Sequence, residues 1–145
     1  MDQNIELLEY LYQDAEMGTY TITQLLRDLK EKDNHIKSTL EDVLKGYETY
    51  QKIIKERIKQ NGAEVKPESR MAKMGSKMGI KKEVLHDNSD AAIADMMIQG
   101  LTMGTTDVQK RIHNFDEKTS MENQKLAQDI LKFEEDSIEQ LKKFL

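Results

Sequence analysis

Two glutamates stand where an apolar residue is expected. Glu16 interrupts the apolar stripe of a long amphipathic segment near the start of the chain, and Glu134 interrupts another near its end. Carboxylates held inside a helical bundle are hard oxygen donors of the kind that hold iron, manganese or zinc. Glu48 and Glu135 are the further acids that such a site would draw on, giving a candidate set of Glu16, Glu48, Glu134 and Glu135. The alternative for Glu16 and Glu134 is a hydrogen bond to Tyr12, Tyr20, Tyr47 or Tyr50, or a lysine met on the adjacent helix.

Other chemistry has less support. Glu83-Val84-Leu85-His86 is the one Glu-x-x-His in the chain, and it has no partner pair. His35 and His113 lie among solvent-type residues and read as surface or capping histidines. No serine sits beside a histidine in a nucleophile motif. Met71, Met74 and Met78 share a helical face, which suits Cu(I) thioether binding, but methionines at this spacing more often fill core gaps. With no cysteine, the chain has no disulfide, thiolate site or cysteine nucleophile.

The elements that must position these residues are four amphipathic segments. The first runs from about Asn4 to Lys32, with Ile5, Leu8, Tyr12, Ala15, Thr19, Ile22, Leu26 and Leu29 three or four residues apart, and Leu7, Leu11, Gly18 and Leu25 widen its stripe. Asp33-Asn34 offers a turn and an N-cap, and the pattern restarts over Ile36 to Ile58 before Asn61-Gly62 ends it. The stretch between Gly62 and Asp90 is rich in lysine, glycine and methionine and reads as a crossover containing one short helix. Asn88-Ser89-Asp90 caps a third segment with inward positions Ile93, Met97, Gly100, Gly104, Val108, Ile112 and Phe115, and Thr119-Ser120-Met121-Glu122 caps a fourth carrying Leu126, Ile130, Phe133, Ser137 and Leu141. Short, long and short connections predict an all-α four-helix bundle with one crossover, as a single domain over residues 1–145.

The arrangement resembles the ferritin-like superfamily, in particular small bacterial ferritin-like domains of unknown function. The resemblance covers nearly the whole chain. Its carriers are Asp14-Ala15-Glu16-Met17-Gly18-Thr19-Tyr20, Gly62, Ser89-Asp90-Ala91-Ala92-Ile93, Gly100 and Glu134-Glu135-Asp136. Such bundles hold two metal ions with a glutamate from each of two helices and a Glu-x-x-His pair from each of the others. Here the third segment offers Met96, Met97, Gly100 and Leu101 where an acid is required, and the second offers only Glu48. The resemblance therefore implies a non-enzymatic bundle with a degenerate metal site and no cofactor, working through self-association as a dimer or through a protein partner. Its counterpart is an oxidase or iron-storage relative using iron or manganese.

Composition sets the remaining expectations. With 27 acidic residues against 22 basic and a formal charge of −5, no concentrated basic face is available for nucleic acid. No run approaches the roughly 18 apolar residues of a membrane span, and the first residues lack a signal peptide's basic and apolar regions. A cytoplasmic protein is expected.

Overall fold

A computed structural model describes residues 2–65, 87–115 and 117–145. Among them are four helices: α1 (Gln3–Asp28), α2 (Lys37–Gln60), α3 (Asp90–Phe115) and α4 (Met121–Lys142). The crossover helix, the Met71/Met74/Met78 face and the Glu83-x-x-His86 pair lie outside the described residues. No helix among the described residues is long and apolar enough to cross a membrane.

Each helix is built on the expected periodicity. Leu7, Leu8, Leu11, Ala15, Ile22 and Leu25 bury one side of α1, and Leu40, Val43, Tyr47, Ile54 and Ile58 bury one side of α2. α1 ends four residues before the expected Lys32, because Leu29 is the last side chain to reach the core and Lys30, Glu31 and Lys32 are exposed. Ser120 caps α4 by accepting from the Asn123 N–H at 3.2 Å, and Ser89 accepts from the Ala92 N–H at 3.2 Å. Gly62 takes φ +80° after α2, a left-handed conformation that glycine adopts without strain.

Polar ties at the two ends fix the directions of the helices. At one end, Asn34 donates to the Asn88 carbonyl at 2.7 Å and to Asp90 Oδ1 at 3.0 Å, so the α1–α2 turn meets the start of α3. At the other, Asn4 Oδ1 accepts from the Ser120 N–H at 2.8 Å and from Asn123 Nδ2 at 2.9 Å, while Arg57 donates to Asn123 Oδ1 at 2.9 Å. The starts of α1 and α4 therefore lie with the end of α2. The helices run up, down, down, up, so the end of α2 and the start of α3 lie at opposite ends of the bundle. α1 pairs with α2 and α3 with α4, and α1 also meets α3 and α4 across the core.

One cap is supplied from outside its own segment. The start of α2 has no side-chain cap of its own, and Asn34 turns its amide to α3 rather than to α2. Asp90 fills the role instead, its carboxylate accepting from the His35 N–H at 3.1 Å and the Ile36 N–H at 3.3 Å. The anion also sits favourably at the positive end of two helix dipoles. Asp90→Ala therefore removes a cap and a tie between helix pairs; the expected loss is about 1–2 kcal/mol in urea unfolding, against a negligible change for exposed Asp95→Ala.

Candidate functional site

Midway along the bundle, one residue from each helix converges: Asp14 of α1, Tyr47 of α2, Gly104 of α3 and Glu134 of α4. Their positions follow from heptad-like rows. Leu7, Leu11, Asp14, Gly18 and Leu25 form one row on α1, and Ala127, Ile130, Glu134, Ser137 and Leu141 form one on α4. An acid within such a row is carried into the interior with its neighbours. Glu134 is 1 % exposed.

The Tyr47 hydroxyl donates to Glu134 Oε2 at 2.6 Å within the core. Two glycines and two aromatic rings make that contact possible. The Tyr47 ring lies on Gly18, where a Cβ would come within 2.6 Å of it, and meets Phe133 edge-on at 5.0 Å; Phe133 in turn covers Gly46. Of the four tyrosines weighed as partners, Tyr47 is thus the one that Glu134 finds.

The second acid is Asp14, whose carboxyl group lies beside that of Glu134 at the level of Gly104. A Cβ on Gly104 would lie 2.9 Å from Glu134 Oε2 and 3.3 Å from Asp14 Oδ1, so the absence of a side chain there leaves room for the acid pair. Asp14 Oδ2 and Glu134 Oε1 are both buried without a hydrogen-bond partner. At the solvent edge lie Tyr10, with the Arg111 guanidinium 4.5 Å above its ring, and the exposed Asp107.

Burial, then the charge of Asp14, pushes the Glu134 carboxyl up to about 9; burial, then Asp107, pushes Asp14 up to about 6, against the lowering effect of Glu134. Burial and the nearby Glu134 raise the Tyr47 phenol well above its ordinary range. Two neighbouring carboxyl groups avoid mutual repulsion when one carries a proton, and the 1 % exposure of Glu134 together with the charge of Asp14 favours the proton on Glu134.

The four acids expected from the sequence separate. Glu134 is the buried one; Glu16 is half-buried on the opposite edge of α1 from Asp14, and Glu48 and Glu135 are exposed on α2 and α4. Gly100, expected to point inward, is exposed and a Cβ there would meet nothing within 4 Å. Asp14 is not among the acids expected from the sequence, although its position falls within the Leu7–Leu11–Gly18–Leu25 row, on the other side of the helix from Glu16.

The donor set does not fit two metal ions. At this level α2 gives a phenol and α3 gives no side chain, and the residue three beyond Glu134 is Ser137, whose hydroxyl is engaged with the Phe133 carbonyl at 2.8 Å. His35 and His113 are exposed, and no group of three acidic or histidine side chains able to hold a metal occurs among the described residues. No family model, curated protein or solved structure matches the chain.

Two predictions follow from this geometry. Gly104→Ala is expected to destabilise despite its gain of about 1 kcal/mol in helix propensity, whereas Gly100→Ala is expected to keep that gain, as read from paired urea denaturations. The second concerns pH. Both acids have raised values, so the native state keeps a proton that the unfolded chain releases above about pH 4.5. The stabilisation is complete below that point and is lost as pH rises toward about 9. Melting temperature is expected to fall across that window, and Glu134→Gln, whose amide can accept from Tyr47 and donate to Asp14, is expected to flatten the fall and melt higher near pH 8.

Proposed function

We propose that this is a ferritin-like bundle that works as a non-enzymatic binding or assembling protein, with a former metal position reduced to an acid pair. The observation that carries this reading is the set contributed by the four helices at the bundle centre, namely Asp14, Tyr47, Gly104 and Glu134. Two acids, a phenol and a bare helix backbone supply fewer than half of the six carboxylate and imidazole ligands a dinuclear centre needs. The up-down-down-up course and the single long crossover support the ferritin-like reading.

Partner binding is the activity left to such a scaffold. The surface of α3 supports it, since Gly100 leaves the helix flat and Met103, one turn on, is 69 % exposed. A second copy of the chain is the simplest occupant of that surface.

The test combines elemental analysis of protein purified without chelator, an iron(II) oxidation assay, and sedimentation over a range of concentrations. The expected result is substoichiometric metal, no catalysed oxidation, and a concentration-dependent dimer weakened by Met103→Lys. Stoichiometric iron or manganese with turnover would establish the oxidase reading instead. A monomer at all concentrations would leave a protein of different sequence as the partner to be sought by cross-linking.

A further inference from the structure

The meeting of Asp14 and Glu134 has three properties that packing does not require: it brings two acids together, it leaves one oxygen of each buried and unpartnered among the described residues, and it faces a bare glycine, Gly104, on α3. The groups facing it are few. α1 contributes Tyr10 beside Asp14, α2 contributes Tyr47, and α3 contributes Asp107 and Arg111, the last lying over the Tyr10 ring. Among the described residues no lysine faces the pair, and the neighbouring Asp107 adds to the negative charge.

We propose that Asp14 and Glu134 form a one-proton latch: the shared proton ties α1 to α4 behind Gly104, and its loss admits water to the bundle centre by lifting the middle of α3. The direction of opening follows from what blocks each side. Toward α2, the Tyr47 ring is seated on Gly18 and against Phe133. Toward α3 the pair meets Gly104, which carries no side chain, and solvent already reaches Asp107 one turn away. Two adjacent carboxylates in an apolar interior must separate or become hydrated, and hydration through the thinnest wall disturbs the least packing.

The latch rests on the reading that the centre carries no metal, which elemental analysis of the same sample decides separately. Amide hydrogen exchange of the full chain, corrected for intrinsic rates, tests it in wild type and Glu134→Gln. Protection over 101–108 is expected to fall by up to about tenfold per pH unit above the second ionisation in wild type, while the α2 amides around Tyr47 hold theirs. The variant is expected to show no such fall. Should Glu134→Gln fail to fold, Asp14→Asn and carboxyl ¹³C titration of wild type take its place, with two coupled, widely split titrations expected. Equal pH dependence in wild type and variant, loss of protection spread evenly over all four helices, or two independent carboxyls titrating at ordinary values would overturn the latch.

Discussion

Burying two carboxyl groups against each other is the constraint from which the middle of this bundle is built. A lone carboxylate in an apolar interior carries a desolvation penalty of several kcal/mol, and two adjacent ones add repulsion. Neutralising one of them with a proton removes most of both. The pair then needs a donor for a remaining oxygen, and Tyr47 supplies it from α2. The Tyr47 ring needs a place to lie, which Gly18 gives, and an edge partner, which is Phe133 resting on Gly46. Gly104 completes the level by withholding a side chain. Three glycines at helix-interior positions each forgo about 1 kcal/mol of helix propensity, a consistent pattern only if the groups they accommodate belong there.

The ends of the bundle solve a different problem. Apolar packing between amphipathic helices is non-directional and does not by itself choose between alternative helix orders. The directional contacts are the polar ones: Asn34 and Asp90 at one end, Asn4, Arg57, Ser120 and Asn123 at the other. Each joins segments far apart in sequence, and those of Asn4 with Ser120 and of Asp90 with His35 and Ile36 also satisfy backbone donors at the start of a helix. Asp90 serves two helices at once, being in the first turn of α3 and the acceptor for the start of α2.

The four long helices and the caps at Ser89, Ser120 and Gly62 were legible in the sequence, because apolar spacing and local cap residues are short-range signals. Ser89, Ser120 and Gly62 act as their residue types suggest. What was not legible is whatever depends on which of two helix edges faces the partner. Glu16 and Asp14 flank the α1 stripe on opposite sides, both half-buried, and only the placement of α3 and α4 decides that Asp14 is the one set beside Glu134. Gly100 and Gly104 are likewise four residues apart, yet the first meets nothing and the second meets the acid pair. The α2 cap was unreadable for the same reason, since its acceptor is 54 residues away from Ile36.

Stability alone does not account for an acid pair at this depth. Replacing buried ionisable pairs with apolar residues of similar volume is often neutral or stabilising by about 1–4 kcal/mol, so a leucine and a methionine would serve the core at least as well. Apolar side chains fill the adjoining positions on the same rows, with Leu11 before Asp14 and Ile130 before Glu134. The acids therefore give the bundle something that apolar residues cannot: a centre whose charge depends on its surroundings. A proton held there is gained or lost without any change in fold topology, and the proposed consequence falls on the helix that sets a glycine against the pair. α3 is also the helix whose outer surface carries the exposed Met103, so a change at the centre and a change at the proposed partner surface fall on the same element.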